Sequence, residues 1–177
     1  VCCRSFGALA LWQLGQPDAA AALSREGEAL AVELAHPFTI TVAHWASGLL
    51  AMLRRDVAQL RRVGEHMIDH CQDKGFAPFL PMGHVFVGGA LAADGALAEG
   101  AARMTEGIEG LAESGTAYAV PTFFAWLAAV CQAQGDLARS RALLGDGVAM
   151  AKANGDRFML PEFARIDGEL LLAEGKA

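Results

Sequence analysis

Two histidines on one predicted helix have the spacing in this sequence that comes nearest to a metal-binding site. His66 and His70 lie four residues apart, which puts both imidazoles on one helix face, and Cys71 follows directly. That spacing can hold a zinc ion. The zinc-protease pattern H-E-x-x-H is incomplete, however, because Met67 stands where the pattern requires its glutamate base. We therefore expect solvated or helix-capping histidines here, with no metal and no cofactor.

The remaining candidates for chemistry are better explained by repeat position and packing. His44 and His84 occupy equivalent places in successive repeat units, and we expect both to be half-buried and hydrogen-bonded between helices. The stretch 88–95 is rich in glycine but lacks the Gly-Lys-Ser/Thr of a phosphate-binding loop, so it predicts close helix packing. No G-x-S-x-G nucleophile elbow occurs. The sequence thus predicts no catalytic residue and no enzymatic activity in this chain.

A regular spacing of glycines organises the helices that must position these residues. Gly15, Gly95, Gly135 and Gly175 fall on a 40-residue grid, and Arg55 stands at its one missing place. A period of this size is typical of helical repeats. Each grid glycine follows an apolar run and precedes a polar one, which predicts a turn between two helices.

Other residue types keep the same phase. Small residues lie seven places before the grid, at Ala8, Gly48, Gly88, Ala128 and Gly168. Further glycines follow the second helices, at Gly75, Gly115 and Gly155. Prolines stand where the next helices begin, at Pro81, Pro121 and Pro161. The small residues predict close helix contacts, and Asp56 and Asp136 are predicted N-caps.

The repeat predicts an all-α fold, a right-handed α-solenoid of antiparallel helix pairs with about nine helices. The chain is expected to form a single domain, 1–177, with units of about 1–38, 39–78, 79–118 and 119–158 and a terminal helix in 159–177. First (A) helices are expected at 2–14, 39–53, 81–94, 121–134 and 161–174. Second (B) helices are expected at 17–35, 56–74, 96–114 and 136–154. Because the chain begins with Val inside an A helix, we expect it to be a fragment of a longer protein.

Composition and charge exclude several classes of partner. The net charge of −6 argues against nucleic acid, since phosphate neutralisation needs a basic surface. Three uncharged stretches are long enough by count to cross a bilayer, namely Leu34–Leu53, Gly75–Ala93 and Ser114–Gly135. An internal proline leaves each with only about 12–15 continuous apolar helical residues, so we expect no membrane span. Cys71 and Cys131 fall in predicted helices without a C-x-x-C spacing, which predicts reduced thiols and a cytoplasmic protein.

The distribution of charge distinguishes the two helices of each unit. B helices carry most of the charge, whereas the second to fourth A helices are uncharged until their ends. In a solenoid of helix pairs the A helices line the concave face, so this face is expected to be an apolar groove. Its candidate partner-binding residues are Trp12, Trp45, Leu49, Met52, Met82 and Val85. The same residues could instead pack helix against helix, or drive self-association through the groove.

The phased pattern resembles the tetratricopeptide (TPR) repeat, lengthened to the period of the glycine grid. Places are counted here from residues 1, 41, 81, 121 and 161. Each unit then has a small residue at place 8, a glycine or its substitute at place 15 and often an acidic residue at place 16. The strings HPFT at 36–39, GDRF at 155–158 and RIDGELLL at 165–172 are similar to the C-terminal repeat region of large bacterial signalling proteins. In that family a class III adenylate or guanylate cyclase domain, or a DNA-binding transcription-regulator domain, precedes an ATPase and then such an array.

The resemblance implies a non-catalytic role in regulation. The first interpretation is a protein–protein interaction module of a larger signalling protein, whose partner is a protein or peptide or the upstream domains of the same chain. The alternative is a ligand-sensing domain that binds a small molecule or peptide in its apolar concave groove. Cyclase or ATPase chemistry would reside in domains outside this chain.

Overall fold

A computed structural model describes residues 1–115 and 119–175, and the fold over these ranges is all-α, without strands. The described ranges hold nine α-helices: α1 Cys2–Gln13, α2 Pro17–Leu34, α3 Pro37–Arg54, α4 Val57–Lys74, α5 Leu80–Ala93, α6 Leu97–Glu113, α7 Val120–Ala133, α8 Leu137–Ala153 and α9 Leu160–Ala173. A short 3₁₀ turn, Ala77–Phe79, precedes α5. The predicted helices are confirmed in number and order, with ends that agree within a few residues.

A residue in the left-handed conformation follows every helix, and these residues are evenly spaced along the chain. The φ angles lie between 50° and 96° at Gly15, Ala35, Arg55, Gly75, Gly95, Gly115, Gly135, Gly155 and Gly175. The seven glycines confirm the predicted turns. Ala35 and Arg55 adopt the same conformation with a side chain, which costs roughly 1–2 kcal/mol per residue. These residues are 20 positions apart, and every second one lies on the glycine grid. The left-handed turns therefore recur at half the period of the grid.

The starts of several helices have the expected stabilising residues. Prolines occupy the first turn of α5, α7 and α9, at Pro81, Pro121 and Pro161. The Asp56 carboxylate accepts a hydrogen bond from the Gln59 backbone N–H at 3.1 Å, and Asp136 accepts one from the Arg139 N–H at 3.0 Å. Both predicted N-caps are confirmed. Helix α6 follows Ala96 and has no side-chain cap.

Helices that follow each other in the chain pack side by side, and odd-numbered helices also contact the next odd-numbered helix. Thus α3 packs against α4, and it also contacts α1 and α5; α7 likewise packs against α8 and contacts α5 and α9. The largest fully buried side chains are Phe86, Phe123, Phe163, Met52, Met67 and Met104. Four of these six lie on odd-numbered helices, as the uncharged A helices of the sequence predict.

Two of the phased small residues allow very close helix contact. A Cβ atom at Gly48 would lie 2.2 Å from the Phe86 ring, and one at Gly88 would lie 2.7 Å from the Met104 backbone nitrogen. No side chain fits at either place without displacing its neighbour. At Gly168 the surrounding space is open, so the predicted close contact is wrong there. The terminal helix has no following helix in the described chain to fill that space.

Ion pairs join neighbouring units at the surface. The Arg61 guanidinium lies 2.6 Å from the Asp94 carboxylate, and Arg141 lies 2.6 Å from Glu174. The two pairs are related by a shift of two full periods of the glycine grid. Because all four side chains contact water, each pair contributes only about 0–1 kcal/mol to stability.

Candidate binding groove

The structure separates the six predicted groove residues into two groups. Five of them are at most 6% exposed and belong to the helix-packing core: Trp45, Leu49, Met52, Met82 and Val85. They offer almost no surface to a partner. Trp12 is half-buried and lines an open cavity. Five of the six residues therefore pack helix against helix, which is the alternative that the sequence left open.

A cavity of about 740 Å³, here called the groove cavity, opens between the odd-numbered helices. Of the twenty described residues that line it, seventeen are apolar or glycine. Helices α1, α3, α5, α7 and α9 all contribute, as shown by Trp12, Leu53, Ala93, Trp126 and Ile166. Small-molecule sites are typically of this size and lined mainly by apolar side chains.

A second cavity of about 560 Å³ adjoins the first. The two share Leu53 of α3 and Phe158, which precedes α9. The second cavity has a more polar lining that includes Asn154 and Asp156. The Asp156 carboxylate accepts a hydrogen bond from the Phe158 backbone N–H at 3.0 Å, which fixes the segment between the two cavities.

Three charged side chains lie at the groove cavity: Arg55, Glu162 and Arg165. Arg165 forms a two-point contact with Glu162, at 2.8 Å from Nε and 2.7 Å from Nη2, and its Nη1 lies 2.5 Å from Glu169. Among the described residues, no carboxylate lies within ion-pair distance of Arg55. The Arg165 charge is thus neutralised locally, whereas that of Arg55 is not.

Two arginines favour the ionised form of Glu162 at the edge of this cavity. Hydrogen bonds from Arg165 lower the pKa of Glu162, and the charge of Arg55 lowers it further against the opposing effect of burial. The same contacts raise the pKa of Arg165. Glu162 is consequently ionised at neutral pH, and the field of Arg55 reaches across the cavity from the end of α3 to the start of α9.

Three histidines gather between α3 and α4, away from the groove cavity. The His44 ring centroid lies 6.0 Å from that of His66 and 6.2 Å from that of His70. The His70 Nε2 atom lies 2.9 Å from the Pro37 carbonyl oxygen, close enough to donate a hydrogen bond to the start of α3. His70 is thus a helix-contacting histidine, in keeping with its predicted capping role.

Burial determines the acid–base state of His44. Desolvation lowers the pKa of His44 from 6.5 to about 4, with Glu28 opposing the shift and His66, His70 and Arg62 adding to it. Its Nδ1 atom is shielded from solvent and has no hydrogen-bond partner among the described residues. In that part of the chain, no three His, Cys, Asp or Glu side chains are arranged to hold a metal ion.

His84 occupies the place equivalent to His44 in the next unit. Its Nδ1 atom lies 3.4 Å from the Glu106 carboxylate on α6, without hydrogen-bond geometry. Both histidines are half-buried, as predicted. The predicted hydrogen bonds between helices are wrong at Nδ1 of both rings, since the nearest polar side chains, on α4 and α6, do not bond these atoms.

The two buried cysteines and the glycine-rich stretch lack reactive surroundings. Cys71 and Cys131 are buried free thiols, and burial raises the pKa of Cys71 to about 11 and also raises that of Cys131. A thiol with a raised pKa is a poor nucleophile near neutral pH. Gly88 and Gly89 lie within α5, where a Cβ at Gly88 would meet the backbone of α6. The predicted packing role of this stretch is confirmed.

Several residues of the groove cavity were not predicted from the sequence. Trp126 and Phe158 were not among the predicted groove residues, although aromatic residues recur at their equivalent places, at Phe6 and Phe86 for the first and at Phe38 and Tyr118 for the second. Arg55 belongs to the second unit and Arg165 to the terminal helix, so they are distant in the chain. The signals in the sequence were this aromatic recurrence and Arg55, the exception in the glycine grid.

None of the helices that the structure describes is both long and apolar enough to cross a membrane. The uncharged stretches noted in the sequence are the A helices and the segments that lead into them. Comparison of the chain with protein-family models, with curated proteins and with solved structures finds no match.

Proposed function

We propose that this chain is a non-catalytic, ligand-sensing repeat domain that binds a small molecule or short peptide in its groove cavity. The observation that carries the proposal is the cavity itself, with a volume of about 740 Å³ and walls that are almost entirely apolar. The five odd-numbered helices contribute to its lining, together with the starts of α4 and α6, so a bound molecule would contact units from both ends of the array. Occupancy would then favour one curvature of the array over others.

The proposed architecture is a right-handed α-solenoid of antiparallel, TPR-like helix pairs. The contacts between successive odd-numbered helices support an inner layer, and the charged even-numbered helices support an outer one. The resemblance to the repeat region of cyclase- or ATPase-containing bacterial signalling proteins agrees with a sensing role. In that setting the ligand would regulate domains that lie elsewhere in a cytoplasmic protein.

Filling the cavity tests this proposal. Ala129 is a half-buried residue of its wall, and Ala129→Phe places a ring inside it. The matched control is Ala22→Phe, at a half-buried alanine of α2 that lines neither cavity. The probe is 1-anilinonaphthalene-8-sulfonate, whose fluorescence rises in apolar sites. We expect the native chain and Ala22→Phe to bind it and Ala129→Phe to bind at least tenfold more weakly. Equal binding by all three folded proteins would refute a site in the groove.

The second candidate function is a protein–protein interaction module, in which a partner protein, the upstream domains or a second copy covers the groove. Phe6 and Phe158 favour it, because they line the second cavity and remain 49% and 40% exposed. Exposed aromatic residues at a groove are typical anchors for a partner. For self-association, the double variant Phe6→Ala with Phe158→Ala should lower the mass measured by sedimentation, whereas an unchanged mass above that of a monomer would exclude these anchors.

A further inference from the structure

We infer that the groove cavity takes an amphiphile with an apolar body and a single carboxylate, and that Arg55 binds the carboxylate. The inference rests on the proposed ligand-sensing function and adds the chemical class of the ligand and the residue that selects it. It depends on three observations: the apolar lining, the unpaired charge at one edge and the backbone conformation of Arg55.

The lining favours an alkyl or aromatic body over a peptide. Arg55, Glu162 and Arg165 are the only charged side chains among the described residues of the cavity wall. Most of the lining residues lie in helices, so most of the surrounding N–H and C=O groups are already hydrogen-bonded. An extended peptide would bury an unpaired N–H and C=O at each residue, whereas a hydrocarbon brings no such groups.

The charge pattern favours an anion and places it at Arg55. Arg165 already binds Glu162 and Glu169, so its donors and its charge are engaged. Arg55 lies at the same cavity with no carboxylate at ion-pair distance among the described residues. A guanidinium matches the two oxygens of a carboxylate in geometry as well as in charge. A cationic ligand would have to displace Arg165 from Glu162.

The conformation of Arg55 agrees with this role; Ala35 shares the conformation, but Arg55 is the one of the two that lines the cavity. Its φ is 56°, and glycine occupies the four equivalent turns at residues 15, 95, 135 and 175. Glycine would satisfy this turn without strain. Strained residues that persist next to a cavity are often retained for binding, because stability and function compete at such sites.

Titration of the tryptophan fluorescence, to which Trp12 and Trp126 contribute from the cavity wall, tests the inference with two probes of equal chain length. Dodecanoate carries the carboxylate, and dodecanol replaces it with a neutral hydroxyl. We expect the native chain to bind dodecanoate at least tenfold more tightly than dodecanol. Arg55→Gly should remove this preference while dodecanol still binds, and Arg55→Lys should keep part of it.

The outcomes separate the two proposals. Equal binding of both probes by the native chain, or a preference that survives in Arg55→Gly, overturns the role of Arg55 while the groove site stands. An apolar pentapeptide with a free carboxylate that binds more tightly than dodecanoate overturns the ligand class. Binding of neither probe, together with no effect of Ala129→Phe on the anilinonaphthalene probe, refutes both proposals.

Discussion

Replacing His44 by phenylalanine should make the domain less sensitive to acid. The His44 imidazole is neutral in the folded chain because burial lowers its pKa to about 4. Its shielded Nδ1 atom has no hydrogen-bond partner among the described residues, so an apolar ring of similar shape leaves no partner unsatisfied. The equivalent residue two units later is Phe124, which shows that this place in the repeat accepts a phenyl ring.

The sign and size of the effect follow from proton linkage. An unfolded histidine titrates with a pKa of about 6.5, so between pH 6.5 and 4 the unfolded chain binds more protons than the folded chain. Stability from neutral His44 is therefore complete above about pH 6.5 and is lost as the pH falls. With these two pKa values the loss between about pH 7.5 and about pH 5 is roughly 2 kcal/mol.

Urea unfolding at these two pH values provides the assay. The native chain should lose about 2 kcal/mol more on acidification than His44→Phe does, and the two should have similar stability at the higher pH. His84→Phe is the matched control, since it removes the histidine at the equivalent place of the next unit and tests whether the effect is specific to residue 44.

Two results would refute this reasoning. One is an equal loss of stability on acidification in the native chain and in His44→Phe. The other is an NMR titration in which the His44 ring changes its chemical shift with a midpoint near the unfolded value of about 6.5. Either result would mean that solvent reaches the imidazole and that burial does not hold it neutral.

Three further substitutions test the backbone and packing of the repeat by urea unfolding. Arg55→Gly should stabilise the chain by about 1 kcal/mol, because it relieves the left-handed strain; a loss of stability would show that the side chain holds the fold together. Gly88→Ala should destabilise it by about 1–3 kcal/mol, since the new Cβ would meet Met104, whereas Gly168→Ala in open space should be neutral or stabilising. Asp136→Ala should cost about 1 kcal/mol and Asp136→Asn little, and equal losses would argue against the N-cap.

The helices and turns were predictable because local residue types determine them. A glycine, a capping aspartate or a first-turn proline acts within a few residues, so its effect can be inferred from position alone. Arg55 shows the limit of that inference: its turn was expected from the repeat, but no local pattern reports that its side chain reaches a cavity shared with α9.

The groove was less predictable because it depends on how far apart the units lie. An A helix that is apolar on all sides does not reveal which side its neighbours cover. Trp45 and Met82 were expected to face the groove, yet they are 6% and 3% exposed in the core. Glu162 and Arg165 have the charge of an ordinary end-capping helix in sequence, and only the fold brings them towards Arg55.

Two N-caps and two ion pairs recur at twice the period of the glycine grid, and this spacing affects where the array bends. Asp56 and Asp136 are separated by two periods of the glycine grid, as are the pairs Arg61–Asp94 and Arg141–Glu174. Polar reinforcement thus stiffens α4 and α8 and leaves α6 between them without a side-chain cap. Among α4, α6 and α8, we expect amide hydrogen exchange to be fastest at the start of α6, so that bending between these units concentrates there.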